Sequence, residues 1–153
     1  MSRSLTGWSF VAAQAVLLCA VVLLPERNDW PTPGWVSVVG FAVLVGGLGL
    51  VGFAALGLGS ALTPTPVPRE SGQLMTEGLY SYVRHPIYTG VLLAVIGVTL
   101  RSGSWITLAV AAVTFVFFNS KAAWEEARLT ERYADYPAYA ASTPRFVPRV
   151  GRS

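Results

Sequence analysis

From Trp35 to Leu62 the chain runs for 28 residues without one charged side chain. A helix that crosses a bilayer needs about 20 apolar residues, with roughly 17–25 tolerated. A run of this length therefore has to find an apolar solvent, and it is long enough to tilt or to project beyond the hydrocarbon. Three further apolar runs accompany it: Gly7–Leu24, Pro86–Leu100 and Trp105–Phe118. The first is long enough to span. The other two are short and are expected to borrow flanking turns, Tyr80–Arg84 and Asn119–Trp124 respectively, while Arg101-Ser-Gly-Ser104 links them as an antiparallel hairpin. Only 12% of the 153 residues are charged, against about 25% in an ordinary soluble domain, and the mean hydropathy is +0.52. That leaves too little polar surface for a water-soluble globule. The expected fold class is an all-α polytopic membrane protein with about four transmembrane helices, a C-terminal interfacial helix and an extended tail. It forms a single membrane domain over 1–153, with two N-terminal spans in 1–62 and a core in 74–148.

The first apolar run begins after Arg3, as a signal peptide would. Its apolar part is too long for one, and Leu24-Pro25-Glu26 follows where a small-x-small cleavage site would stand. It is expected to be a retained anchor. The single Cys19 excludes an internal disulfide, and one Cys with one His cannot build a zinc cluster from the usual ligands.

Basic residues set the orientation. The N-terminus (Arg3), the second connection (Arg69, Arg84) and the tail (Lys121, Arg128, Arg132, Arg145, Arg149, Arg152) hold nine of the eleven, and the remaining connections hold Arg27 and Arg101. Both termini are expected in the cytoplasm, with the protein in a bacterial inner membrane. The net charge of +3 then reflects topology and anionic lipid, and no nucleic-acid partner is implied. Gly47-Leu-Gly-Leu-Val-Gly52 matches the dinucleotide fingerprint by letters, but it lies within an apolar run and not between a strand and a helix. Gly46, Gly49 and Gly52, with the i,i+4 pairs Ala42/Gly46 and Ala55/Gly59, are expected instead to let helices approach closely. The glycine-rich run also offers a face for homo-oligomerisation.

Chemistry concentrates in Ser81-Tyr-Val-Arg-His-Pro-Ile-Tyr-Thr-Gly90, which holds the only histidine. Pro86 suits the first turn of a helix, where its missing N–H costs nothing. His85 then becomes the cap, preceded by Arg84, and Gly78 is the flexible point of the turn before them. A helix N-terminus is a ready anion site, and Arg84 adds a bidentate grip for a carboxylate or phosphate. Pro86, Gly90, Ala94 and Gly97 form a small-residue stripe on the new helix, and His85, Tyr88 and Leu92 lie on a neighbouring face. The competing interpretation makes Tyr80, Tyr82 and Arg84 interfacial anchors and His85 a cap and nothing more.

A second constellation follows the fourth apolar run. Glu125 and Glu126 continue the helix just past the bilayer edge, on the side of His85. Lys121 could pair with Glu125 at i,i+4 with both acids solvated, but two adjacent acids suit neither a helix C-terminal half nor anionic lipid. In the tail, Tyr133 and Tyr136 suggest a helix lying on the membrane and ended by Pro137. Thr143-Pro-Arg-Phe-Val-Pro148 is expected to be extended, with Arg145 either a substrate ligand or a lipid contact.

Gly78–Gly90, the helical hairpin, Trp124-Glu-Glu-Ala-Arg-Leu129 and Tyr136–Pro148 together resemble the isoprenylcysteine carboxyl methyltransferase family, which is related to the membrane phospholipid methyltransferases. The resemblance covers about residues 74–148, and the first two spans match it only in being apolar. It implies S-adenosylmethionine as cofactor, bound at the cytosolic face between the last spans and the tail. Tyr82, Arg84, His85, Pro86, Tyr88, Gly90, Glu125 and Glu126 would line that pocket. A lipophilic small molecule or lipid would accept the methyl group, and the substrate in the family name is not carried over. Residue chemistry agrees: His85–Pro86 and Arg84 suit the cofactor's carboxylate, Tyr88 its adenine, and a glutamate its ammonium or ribose hydroxyls. A carboxylate or thiolate acceptor would want a cationic guide, for which Arg145 is the choice. An amine would want a base, which Glu126 or His85 could provide. Two other readings compete. One is an NADPH-dependent membrane reductase of the sterol-reductase kind, for which the loop at 73–90 offers few basic residues. The other is a non-enzymatic membrane protein.

Overall fold

A computed structural model describes residues 3–24, 26–27, 29–59 and 74–149. Arg69 and Arg152 of the orientation count, Gln73, and the 60–62 end of the second apolar run lie outside the described residues. Helices α1 (Arg3–Leu23), α2 (Gly34–Leu58), α3 (Pro86–Ser102) and α4 (Trp105–Arg132) are followed by a short α5 (Tyr136–Ser142), and a one-turn 3-10 helix spans Gly78–Ser81. Among the described residues all regular structure is helical, as the apolar runs require of a chain in lipid. α1, α2 and α4 are long and apolar enough to cross a membrane, and α3 is a shorter apolar helix. α4 absorbs Asn119–Trp124 as expected. At about 1.5 Å per residue its 28 residues reach roughly 42 Å, so its last two turns, from Glu125 onward, extend past a hydrocarbon core of about 30 Å.

The corresponding expectation for α3 is corrected. Tyr80–Arg84 does not extend this helix, because a residue before proline is barred from the α region. His85 takes φ −127°, ψ 64°, and the helix starts at Pro86.

α2 and α3 form the tightest pair, running antiparallel with Gly40 opposite Gly97 and Gly47 opposite Gly90. A Cβ built on Gly97 would stand 2.5 Å from both the Gly40 carbonyl and the Leu44 amide nitrogen, and one on Gly90 would stand 2.6 Å from the Gly47 carbonyl. The α3 stripe therefore packs as its spacing suggested. On α2 the contact falls on Gly40, Gly47 and Ala54, which are buried at seven-residue intervals. Gly46, Gly49 and Gly52 face open space, contrary to expectation.

α1 lies antiparallel to α4. Its Phe10 packs against Phe117 and Trp124 at 5.9 and 5.3 Å between ring centres, and Gln14 accepts a hydrogen bond from Lys121 Nζ at 2.5 Å. At the end of the bundle away from the termini, the α1–α2 connection is tied to the α3–α4 link. Arg27 and Asp29 donate their amides to the Ser102 and Gly103 carbonyls at 2.8 and 2.9 Å, and the Asp29 carboxylate accepts from the Trp105 amide at 3.0 Å. Gly103, at φ +55°, leaves α3 in the left-handed region, and a Cβ there would collide with the Arg27 carbonyl. Ser104 caps α4 by accepting from the Thr107 amide.

Candidate active site at the terminal end of the bundle

The other end of the bundle brings three separate segments onto one carboxylate. Pro86 fixes where α3 begins and places Arg84 and His85 at its foot. The projecting turns of α4 place Glu125 and Glu126 beside them. The tail after α5 runs alongside residues 84–85: the Arg84 amide donates to the Pro144 carbonyl at 2.9 Å and the His85 amide to the Arg145 carbonyl at 3.1 Å. Thr89 Oγ1 adds a bond to the Phe146 carbonyl at 2.9 Å. Phe146 itself is buried with Leu92, Phe118 and Ala122. Thr143–Pro148, expected to be extended, instead runs through bends at 143 and 145–147, and this course delivers Arg145.

Glu126 is the hub. Its Oε1 accepts from Arg84 Nε and Nη2 at 3.1 and 2.9 Å, from His85 Nε2 at 3.1 Å and from Arg145 Nε at 3.0 Å. Its Oε2 accepts from Arg145 Nη2 at 2.6 Å. Because a carboxylate flanked by two guanidinium groups offers only lone pairs, His85 Nε2 has to carry the hydrogen. Arg84 was expected to grip a ligand carboxylate or phosphate, whereas the anion it holds in the structure is the carboxylate of Glu126. The Nη1 of Arg84 donates to the Ala140 and Thr143 carbonyls at 2.7 and 2.5 Å, fastening the end of α5. Arg84 and Glu126 are partly buried, with side chains 12% and 13% exposed, whereas the Arg145 side chain is 32% exposed. Arg145 commits Nε and Nη2 to Glu126, and its Nη1 has no protein partner among the described residues. Hydrogen bonding to Glu126 raises the Arg145 guanidinium above its usual value against the opposing effect of burial.

Glu125 lies on the neighbouring face. Its Oε2 accepts from the Tyr88 hydroxyl at 2.8 Å and stands 3.8 Å from His85 Nδ1. The Tyr88 ring stacks on His85 at 5.2 Å, nearly parallel, and Lys121 Nζ lies 5.0 Å from its centre. Lys121 is therefore buried and bonded to α1, where an i,i+4 pair with Glu125 on a solvated face was one expectation.

Seven of the predicted site residues, namely Arg84, His85, Pro86, Tyr88, Glu125, Glu126 and Arg145, come together here. Tyr82 does not: it points outward, 65% exposed, where an aromatic suits a membrane edge. Gly90 is placed on the α2 face of α3, where the close approach of Gly47 accounts for its small size.

Two tyrosines not predicted as site residues complete the enclosure. Tyr139 donates its hydroxyl to the Tyr80 carbonyl at 2.5 Å, and burial pushes its phenol up to about 12, against the opposing effect of Arg84. Tyr136 is buried, and its hydroxyl has no hydrogen-bond partner among the described residues. Burial, then the charge of Glu126, pushes its phenol well above the usual value. The signal available for both was Tyr-Pro-x-Tyr, which entered only through the resemblance for Tyr139 and was otherwise read for Tyr136 as the mark of a helix lying on the membrane. Pro137 stands in the first turn of α5 and does not end a helix, because proline is tolerated where the amide needs no partner. Tyr133 closes α4 instead.

The family model described as Phospholipid methyltransferase matches residues 35–136. The match takes in α2 as well, so the relationship extends further toward the N-terminus than the motifs alone indicated. Protein-S-isoprenylcysteine O-methyltransferase B of Arabidopsis thaliana is 32% identical over 138 residues, 87% of this chain and 68% of that protein. Protein-S-isoprenylcysteine O-methyltransferase of Schizosaccharomyces pombe is 34% identical over 79 residues, 50% of this chain and 34% of its own length. The nickel-cobalt-cadmium resistance protein NccN of Alcaligenes xylosoxydans xylosoxydans is 28% identical over 88% of this chain and 62% of that protein. The chain thus spans only about a third of the fission-yeast relative. With the family model covering two thirds of its residues, the chain belongs to the phospholipid methyltransferase family.

Proposed function

We propose that this protein is an integral-membrane, S-adenosylmethionine-dependent methyltransferase that acts on a lipophilic, prenyl- or lipid-type substrate at the cytosolic membrane face. One observation carries the reading: α3, α4 and the tail converge on Glu126 at one end of an apolar bundle, with Arg145 partly exposed beside it. The distribution of basic residues supports a cytosolic location for that end. When bound, S-adenosylmethionine supplies an electrophilic methyl group on a sulfonium, and the protein's task is to orient two reactants and exclude water.

The residues fit such a ligand. Glu125, with its side chain 24% exposed, suits a ligand ammonium or ribose hydroxyls, and the stacked His85–Tyr88 pair gives a rigid aromatic wall. Glu126 has five donors on its two oxygens, so its role is to hold Arg84 and Arg145 in place, and it is a poor choice for taking a proton. That favours an acceptor which arrives deprotonated, a carboxylate or thiolate, guided by the Nη1 of Arg145, which Glu126 does not engage. A cleft of about 280 Å³ between the end of α2 and the Gly78 turn, with Phe53, Ala54, Met75, Leu79 and Tyr80 and the acid Glu77 in its lining, lies at the same end.

The test is transfer of a labelled methyl group from S-adenosylmethionine into organic-extractable material in membranes containing the protein. Transfer that is lost in Arg145→Ala supports the proposal. Equal label with and without the protein, over a panel of carboxylate, thiol and amine lipids, refutes it.

A further inference from the structure

The mechanism above makes no use of the Tyr136 hydroxyl, which is the unusual polar group at this end of the molecule. Tyr136 is 2% exposed, and its oxygen is buried without a hydrogen-bond partner among the described residues. Buried hydroxyls are nearly always paired, and an orphan is a standing cost to the fold. The other buried hydroxyl in this condition among the described residues, on Thr107, lies at the opposite end of the bundle.

The surroundings of Tyr136 are rigid. Arg84, itself fixed by Glu126, holds the Ala140 and Thr143 carbonyls. Ala140 lies one turn after Tyr136 on the same side of α5. Tyr139 ties the helix to the Tyr80 carbonyl, and its ring packs edge-on against Tyr136 at 5.9 Å. The phenol keeps its proton through the physiological range, so it can serve as a donor. The segment lies outside the apolar spans, where a water-soluble cofactor arrives.

We infer that Tyr136 is a cofactor-binding residue, whose hydroxyl donates a hydrogen bond to an acceptor atom of the bound methyl donor. The inference rests on the proposed function for the identity of that ligand. A group held for a ligand and a group held for the fold respond oppositely to Tyr136→Phe. In the ligand-free, detergent-purified full chain, the variant should melt at or above the wild-type midpoint, because it removes an unpaired buried oxygen. Its dissociation constant for S-adenosylmethionine, measured by calorimetry, should rise about tenfold, as for one lost hydrogen bond. Tyr139→Phe is the control: its hydroxyl is paired within the protein, so its ligand-free midpoint should fall. Unchanged affinity in Tyr136→Phe, with the wild type binding, overturns the inference alone. A ligand-free midpoint that falls as in Tyr139→Phe also overturns it, by showing a structural bond. No binding by the wild type overturns the inference and the proposed cofactor together.

Discussion

Glu126→Gln separates the role of the hub from that of its neighbour, because it keeps the side-chain shape and removes the charge. The tail is attached to Glu126 through two charge-assisted bonds from Arg145, at 3.0 and 2.6 Å. Hydrogen bonds to charged groups contribute about 1.5–3 kcal/mol each. The Arg145 side chain is 32% exposed, and solvent screening reduces that sum. A loss of about 2–3 kcal/mol remains, which is roughly a 30- to 150-fold increase in the population of undocked tail. Trypsin can cut Arg145–Phe146 only when this segment leaves the protein. Under conditions where opening is fast relative to cutting, the cleavage rate follows the open population. Cleavage there should therefore accelerate by about that factor in Glu126→Gln. Glu125→Gln should stay within about threefold of wild type, because the Glu125 carboxylate is bonded to Tyr88 on α3 and not to the tail. Equal rates in wild type and Glu126→Gln, or a larger effect at Glu125, would refute the hub.

Two further outcomes test the packing. Gly97→Ala should lower the thermal midpoint by the equivalent of about 1–3 kcal/mol, because a Cβ would have to displace backbone atoms 2.5 Å away. Gly46→Ala, which meets open space, should change it by no more than about 1 kcal/mol. In the α1–α4 contact, Gln14→Leu leaves the buried Lys121 ammonium without its bond and should cost about 2–3 kcal/mol. The double variant Gln14→Leu/Lys121→Met should recover part of that loss, and strict additivity in unfolding experiments would show that the pair does not interact.

The helices were legible because lipid-crossing segments must be long and apolar, and the foot of α3 was legible because proline dictates where a helix can start. Residue pairing across the bundle was less so. α2 has glycine at so many positions that 46, 49 and 52 and the seven-residue stripe through 40 and 47 are equally good on spacing. The choice is made by α3, whose own glycines 90 and 97 are seven apart. Arg84 was readable as an anion grip, but its anion is 42 residues further along the chain, and no local pattern encodes such a pairing. Lys121 has an acid four residues later, which suggested a surface pair. Its actual partner, Gln14, is a polar residue in the first span whose purpose local sequence could not disclose. Tyr82 and Gly90 belong to the motif through its letters, while the fold turns one outward and the other toward α2.

The most direct test of the central claim is calorimetric titration of the detergent-purified full chain with S-adenosylmethionine and, separately, NADPH, in wild type and Glu125→Ala. The account predicts saturable binding of S-adenosylmethionine alone, weakened by the substitution. A folded wild type that binds NADPH, or that binds neither ligand, would contradict it.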